Sequence, residues 1–509
     1  MRSNMRGDKH SNRYRKILKK RKLIARRRLR FILFLVIIIS ITFWSIGQVK
    51  HNFDNKVSQK RIHKYVNDNM LTDAAKAGDI SVIKVLQLQG IDLNTTNFTG
   101  QTPLMIAAQN GHTKLVKFLL DNGVNINKVD DLGRTPLMKA AQYGDINMIK
   151  LLTEQGAKVN AVDNGGMTVL MFAALNNKHS NVLKFFIKSG VDVNAKSKSG
   201  QTALILASAN NDTDIVKYLE NNGADINVKE QKRGLNALIA AAGNGKIDTV
   251  KFLVKKKCNI NDTDTDGNTA LAYAAAKGHI NVVKYLLSQG ANINAENIAE
   301  DTALSAAIAN GQSKMIDFCI RNGSDINNKS KNGRTPLINA VNNGNIEIIR
   351  CLFNKGADVN AEDEAGESAL MHAARRRIYV TLVGSNNSDK IMIQDSPKLE
   401  RNIIQLLLNN GADVNAKNNN ADTPLILASS YGNTEMVNML LRSGASINAR
   451  NKNGTTALIK AISKDDYDTV KVLIENKANI SLKDNQGKNA LSWANQKGNT
   501  NIIKLVSKR

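Results

Sequence analysis

The chain of 509 residues repeats one pattern from about residue 70 to its C-terminus. In the clearest copy, between Gly100 and Asn127, Thr-Pro-Leu is followed by an Ala pair, a Gly, an apolar stretch and a second Gly. The first position, Thr in most copies, recurs in steps of 33 or 34 residues with a single step of 55, at residues 102, 135, 168, 202, 236, 269, 302, 335, 368, 423, 456 and 489. A fixed period of this length predicts stacked supersecondary units, because one unit alone is too small to bury its apolar face.

Each position of the pattern has a local structural reason. Thr at the first position predicts a helix N-cap, since its hydroxyl can accept a backbone N–H of the first turn. Proline follows that Thr in four copies, at Pro103, Pro136, Pro336 and Pro424, where its missing N–H costs nothing. The glycines that end the two apolar segments favour left-handed helix C-termini, and Asp or Asn in the turn favours local side-chain-to-backbone hydrogen bonds. The sequence therefore predicts two helices per unit.

This pattern resembles the ankyrin repeat, a turn plus two helices in 33 residues, over roughly residues 70–509. The resemblance implies an all-α, ankyrin-type helix-turn-helix solenoid of about twelve repeats. Residues 70–94 predict the second half of an atypical opening unit, and residues 483–509 predict a polar C-terminal cap. The histidine that the family carries after Thr-Pro-Leu is replaced here mainly by apolar residues such as Met105 and Ile338. We expect apolar packing at that position, and a stable fold.

The step of 55 residues contains an insertion at about 377–398, between the two helices of one repeat. Its two apolar segments, 378–383 and 391–393, flank a polar stretch and predict a β-hairpin. Insertions in repeat proteins form loops on one face, which is often the binding face. A mobile loop without a binding role is the alternative.

The N-terminal segment predicts a membrane anchor. Residues 1–30 contain 14 Lys or Arg and one acid, and residues 31–49 carry no charge. Nineteen uncharged, mostly apolar residues are just long enough to cross a hydrocarbon core, and the excess of basic residues before them predicts a cytoplasmic N-terminus. We therefore expect a basic cytoplasmic arm at 1–30, a transmembrane signal anchor at 31–49, a spacer at 50–69 and extracytoplasmic repeats. A secreted protein released by signal-peptide cleavage is the alternative.

The Asn-x-Ser/Thr sequons at Asn97, Asn261, Asn322 and Asn453 fall in or near structural turns, where glycans in a secretory lumen would interfere with folding. This placement favours a bacterial inner membrane with the repeats on the periplasmic side. The basic arm taken alone is also typical of nucleic-acid binding, but its position directly before the apolar segment favours the membrane, and we expect no nucleic acid.

The sequence offers no support for an enzyme. The three cysteines lack CxxC spacing, and the histidines within the repeats are far apart in sequence. The segment beginning at Asp262 is similar to the start of an EF-hand loop, but the position of the required Glu is occupied by Tyr273. We expect no catalytic residues, no cofactor and no metal site.

The family resemblance implies that a protein partner binds on the concave face, which is formed by the turn tips and the ends of the first helices. The candidate partner-binding residues on this face are Phe98, Gln101, Gln109, Asn110, Leu132, Arg134, Gln142, Tyr143, Arg334, Arg375, Arg376 and Tyr431. Aromatic and apolar side chains exposed beside arginine are typical of interface hot spots. Phe98, Leu132, Tyr143 and Tyr431 are therefore the candidate anchors.

A second candidate surface is a column of cations in the second helices, one per repeat. The candidate anion-binding residues are Lys117, Lys150, Lys184, Lys217, Lys251 and Lys284. We call this set the lysine ladder. Such a ladder suits a polyanion or an anionic membrane surface, although a charge at a fixed helical position is commonly just a solvated face. It defines the alternative function, a polyanion- or membrane-surface-binding structural protein.

Overall fold

The computed structural model describes residues 69–175, 180–210, 213–375 and 397–507. Within these residues the chain forms 26 helices and no strand, arranged as helix pairs that follow one another along the chain. Three isolated antiparallel bridges, such as Val162 with Thr168, are the only extended pairings among them. The predicted all-α ankyrin-type architecture is confirmed for this part of the chain.

Each pair consists of a first helix and a second helix. The first helices are α1 (69–77), α3 (Pro103–Gln109), α5 (Pro136–Tyr143), α7 (Val169–Ala174), α9 (Ala203–Asn210), α11 (Ala237–Gly243), α13 (Ala270–Ala276), α15 (Ala303–Ala309), α17 (Pro336–Asn343), α19 (Ala369–Arg375), α21 (Pro424–Tyr431), α23 (Ala457–Ser463) and α25 (Ala490–Lys497). The second helices are α2 (Ile80–Leu88), α4 (Thr113–Asp121), α6 (Ile146–Glu154), α8 (Ser180–Lys188), α10 (Thr213–Asn221), α12 (Ile247–Lys255), α14 (Ile280–Ser288), α16 (Ser313–Arg321), α18 (Ile346–Asn354), α20 (Pro397–Asn409), α22 (Thr434–Arg442), α24 (Tyr467–Glu475) and α26 (Thr500–Ser507).

Two details of the unit boundaries differ from the sequence expectation. The opening unit has both helices, α1 and α2, where only a second half was expected, because the Ala pair at 74–75 already lies in a buried first helix. Helix α20 begins at Pro397, inside the predicted insertion of 377–398, because proline is accommodated in the first turn of a helix. The predicted hairpin and Arg376 lie outside the described residues.

The N-caps form as the sequence predicts. The Thr102 hydroxyl accepts the backbone N–H of Met105 at 3.2 Å, with Pro103 at N1. The same bond recurs in later first helices, with Asn236 and Asn489 as the acceptors in two of them. Ser368 is the exception, because its buried hydroxyl has no hydrogen-bond partner. It occupies the cap position of α19 without forming the cap bond.

The core lies between neighbouring pairs. In α3 every residue except Gln109 is buried, including the small Ala107 and Ala108, which allow adjacent helices to approach closely. Met105 and Ile338 are both fully buried, which confirms apolar packing where the family carries histidine. Helices this short are unstable in isolation, so packing between units stabilises them.

A chain of backbone hydrogen bonds joins the turns. The N–H of Asn164 donates to the carbonyl of Leu132 in the preceding turn at 2.9 Å, and equivalent bonds recur from turn to turn. They continue across the insertion, where the N–H of Asn419 donates to the carbonyl of Ala365 at 2.9 Å. The turns approach so closely that a Cβ added to Gly133, whose φ is +76°, would lie 2.7 Å from the Asn164 nitrogen. The 22-residue insertion therefore leaves the stacking of successive turns unchanged.

Among the described residues no helix is both long enough and apolar enough to cross a membrane. The predicted arm at 1–30 and span at 31–49 lie outside that part of the chain, as does the predicted spacer except for residue 69.

The hydroxyl residues at the cap positions of two neighbouring units give a matched stability test. Thr335→Ala removes a hydrogen bond to the N–H of Ile338 and is expected to lower the free energy of unfolding by about 1 kcal/mol. Ser368→Ala removes a hydroxyl that bonds to nothing, and it should lower that energy by less than half as much. Urea unfolding followed by circular dichroism measures both variants. Equal losses would contradict the assignment of caps.

Candidate binding surface

The turns and the exposed ends of the first helices form one surface, which we call the tip face. The four candidate anchors lie on it and are accessible: Phe98 is 90% exposed, Leu132 52%, Tyr143 47% and Tyr431 36%. Phe98 and Leu132 belong to successive turns, which are joined by the hydrogen bond from the Asp131 N–H to the Thr99 carbonyl. The stacking of turns therefore places these two apolar side chains in adjacent units of the same face.

The polar candidates differ in whether their side chains already contact other groups of the protein. Gln101 accepts a hydrogen bond from the Asn97 amide at 3.3 Å, and the Asn110 amide donates to the carbonyl of Ile106 at the end of α3. The Arg134 guanidinium lies 5.9 Å from the centre of the Phe172 ring.

Gln109, Gln142 and Arg334 are exposed on the same face, and Arg375 pairs with Glu367. Of these four, Arg375 is the side chain that the fold already holds by an ion pair, so it is less available to a partner than an exposed arginine without one.

The structure also shows a set of contacts on this face that sequence reasoning missed. In four units an Asp in the turn bonds the side chain nine residues later, in the first helix. The four pairs are Asp130 with Lys139 at 2.9 Å, Asp264 with Tyr273 at 2.8 Å, Asp363 with His372 at 2.8 Å and Asp484 with Trp493 at 2.8 Å. We call each of these pairs a tether.

Each tether uses both oxygens of its carboxylate, and the tether of Asp264 shows the arrangement. Oδ1 of Asp264 accepts the backbone N–H of Asp266 at 3.0 Å and of Asn268 at 2.7 Å, which closes the turn. Oδ2 accepts the Tyr273 hydroxyl, and the Arg233 guanidinium donates to that hydroxyl at 2.8 Å. Burial, and then the bond to Asp264, raise the pKa of Tyr273 above its usual value. A single Asp thus holds both the turn and the following helix.

A signal for the tethers is present in the sequence once the repeats are aligned. Asp followed nine residues later by a hydrogen-bond donor marks all four pairs. Where Asn or Ser replaces that Asp, the later residue is aliphatic in several units, as with Ile106, Leu206 and Leu427. Asp163 departs from the pattern, because Phe172 has no donor to offer.

One tether belongs to a larger cluster of ionisable groups. Asp363, Glu367 and His372 place their ligand atoms within 4.8 Å of one another. These atoms already have protein partners, since Glu367 pairs with Arg375 and accepts the Asn418 amide at 3.0 Å. Burial raises the pKa of Asp363. The hydrogen bonds from the Glu367 N–H and from His372 lower this pKa by more than burial raises it, so that the net shift is downward. The same Asp-to-donor bond in three other units identifies His372 as a tether residue.

The lysine ladder lies on the second helices, and all six of its members are exposed. Lys217 pairs with Asp214 at 3.3 Å, and the Lys184 ammonium lies 5.4 Å from the centre of the Tyr218 ring. The other four ladder residues form no ion pair or ring contact with the described part of the chain. The ladder is therefore a solvated set of cations, only partly neutralised by acids.

The tethers predict a difference between two tyrosines. Tyr273→Phe removes the hydroxyl that bonds Asp264, and it is expected to lower the free energy of unfolding by about 1 to 2 kcal/mol. Tyr143→Phe is the matched control, because its exposed hydroxyl makes no hydrogen bond within the described residues. Thermal and urea unfolding of both variants measure the effect, and a Tyr273→Phe variant as stable as the control would disprove the tether.

Sequence comparisons identify the repeat unit independently of the structure. The family profile described as "Ankyrin repeats (3 copies)" matches residues 71–163, 156–230, 223–297, 304–395 and 447–509, and that described as "Ankyrin repeats (many copies)" matches residues 407–459. A comparison with curated proteins gives no match. The profiles together cover well over half of the chain, and the described residues they match form the capped helix pairs set out above. The chain therefore belongs to the ankyrin-repeat family.

Proposed function

We propose that this protein is a non-catalytic scaffold that binds another protein through the tip face. Ankyrin repeats typically bind protein partners, which supports the general function. The observation that carries the proposal for this chain is the exposure of Phe98, at 90%, beside Leu132 on the next turn. Large apolar side chains left exposed to solvent are favourable material for an interface.

The free energy gained by burying these exposed apolar side chains supports a role in binding. Burying one such side chain in an interface contributes about 1.5 to 3 kcal/mol relative to leaving it exposed. Tyr143, in the same unit as Leu132, is also exposed on the tip face, and its ring lies against Gly111, where an added Cβ would be 2.7 Å from the ring. The Arg134 guanidinium on the Phe172 ring lies in the same region and adds a cation that a partner can contact. In these neighbouring units the tip face therefore presents apolar, aromatic and cationic groups.

We also propose that the repeats are anchored by residues 31–49 and lie on the periplasmic side of a bacterial inner membrane, with residues 1–30 in the cytoplasm. The support is the charge asymmetry of the sequence, with 14 basic residues before the apolar segment. Release after signal-peptide cleavage is the alternative.

The anchor proposal predicts the outcome of protease treatment of spheroplasts. The repeats should be digested while the cytoplasmic membrane is intact, because they lie outside it. A cytoplasmic marker protein is the control and must survive. Protection of the repeats would overturn the orientation, and repeats recovered in the soluble periplasmic fraction would replace the anchor with a cleaved signal peptide.

The alternative function uses the lysine ladder to hold a polyanion or an anionic membrane surface. Its support is the exposure of all six lysines and the absence of ion pairs at five of them within the described residues. Such binding would weaken steeply with salt, since it depends on neutralising charge. Contact with the apolar tip-face residues would not show this dependence to the same degree.

A double substitution tests the leading proposal. Phe98→Ser with Leu132→Ser should reduce partner capture in cross-linked cells at least tenfold without lowering thermal stability, because both side chains are exposed. The measurement is the amount of cross-linked partner recovered with the full-length chain.

The matched control is Val85→Ser with Leu88→Ser, two exposed apolar residues on the second helix α2. It should leave capture unchanged. A third variant, Lys117→Glu with Lys150→Glu and Lys251→Glu, separates the two functions. If this variant loses the ligand and retention on heparin while the Phe98 variant keeps both, the ladder function replaces the leading proposal.

A further inference from the structure

A cavity of about 300 Å³ opens on the tip face between α15 and α17. Asp301, Ser305 and Ala306 line it from one unit, and Arg334 and Asn339 from the next. It lies roughly six repeats from Phe98, and most of the residues that line it are polar. The cavity is therefore a second feature of the tip face, with different chemistry.

A small residue borders the cavity. Ala306 occupies the first-helix position that carries Tyr273 in the preceding unit and His372 two units later. In those units the large side chain lies over the inner part of the turn and bonds its Asp. With Ala306 the equivalent space is empty, and Ala309, one helical turn further on, also leaves it open.

The two charged residues that line this cavity, Asp301 and Arg334, differ from the charged residues at the same position in other units. The residue immediately before the N-cap is charged in six of the twelve capped units: Arg134, Asp301, Arg334, Glu367, Asp422 and Lys488. Four of these have a partner in the fold. Arg134 lies on the Phe172 ring, Glu367 pairs with Arg375, Asp422 accepts the Asn451 amide, and Lys488 donates to Gln496.

Asp301 and Arg334 are the two that remain. Neither side chain makes a hydrogen bond, ion pair or ring contact with the described residues, and the two do not form an ion pair with each other. They lie in adjacent units, have opposite charges and line the same cavity. Asp301 is half-buried, and burial raises the pKa of its carboxyl group. A cation or N–H donor from outside would therefore stabilise its charged form.

We propose that this cavity binds an extended segment of the partner polypeptide that presents a basic side chain to Asp301 and an acidic side chain to Arg334. The spacing of these two partner residues follows from the geometry. Packed helices lie about 8 to 10 Å apart. An extended segment in the polyproline II conformation advances about 3.1 Å per residue and returns its side chains to the same face every third residue. The two side chains of the partner are therefore about three residues apart.

The other groups in the cavity suit the main chain of such a segment. The side-chain amide of Asn339 and the hydroxyl of Ser305 have no partner within the described residues, so they can bond main-chain N–H and C=O groups. Ala306 and Ala309 leave room for the backbone to approach. This inference rests on the proposed scaffold function and specifies the chemistry of the partner at one place on the tip face.

The experiment is a selection of random peptides displayed on phage against the full-length chain. Wild-type protein should enrich peptides that carry a basic and an acidic residue about three positions apart, in one order along the peptide. The charge-exchanged variant Asp301→Arg with Arg334→Asp should enrich the opposite order. Ala306→Leu should abolish the enrichment, and it should fold, because leucine occupies the equivalent position at Leu206 and Leu427.

A synthetic peptide of the enriched sequence should bind wild-type protein at least tenfold more tightly than the charge-exchanged variant, measured by fluorescence anisotropy. Absence of enrichment, or enrichment in which the exchange leaves the charge order unaltered, overturns the inference. If the enriched peptides instead depend on Phe98 and Leu132, the inference fails while the scaffold function stands. Loss of partner capture by the Phe98 variant is measured independently, so the two proposals fail separately.

Discussion

Contact between neighbouring helix pairs is the interaction on which this structure depends. The first helices are six to nine residues long, too short to be stable in isolation. In α3 six of the seven residues are nonetheless buried, because the helices of the adjacent units cover them. The hydrogen bonds from turn to turn add a second continuous contact, which the insertion after α19 does not interrupt. Each unit therefore acquires its stability from the units beside it.

This dependence leaves part of each unit free to vary. Residues buried between units are nearly constant in type, whereas those on the tip face change from one unit to the next. Some units use these positions for stability: a turn Asp bonds a Lys, Tyr, His or Trp nine residues later. The unit of Ala306 has neither the Asp nor the large donor, and a cavity takes the place of the tether. On our proposal, binding capacity arises where such an internal contact is missing.

The tip face consequently offers two kinds of surface along one scaffold. Phe98, Leu132 and Tyr143 present apolar and aromatic groups near the first units, and Asp301 with Arg334 presents separated opposite charges further along. An apolar contact contributes affinity with little directional preference, whereas paired charges favour one partner and one register over others. A partner that spans both places would combine the two effects. The proposed scaffold function and the proposed peptide cavity are consistent on this basis, although they rest on different residues.

The sequence by itself determined the features that depend on neighbouring residues in the chain. Thr102 as an N-cap, Pro103 at N1, the glycine turns and the 33-residue unit all follow from local backbone chemistry, and they were predicted correctly. The same local reasoning placed a serine in the cap position at Ser368, yet its hydroxyl forms no bond. The tertiary structure alone decided which side chains have partners. Glu367 and Asp301 are both acids placed just before an N-cap position, but only Glu367 meets donors, because folding brings Arg375 and Asn418 to it. Pairing of this kind depends on distances between side chains brought together by folding, and the pattern of a single repeat does not contain them.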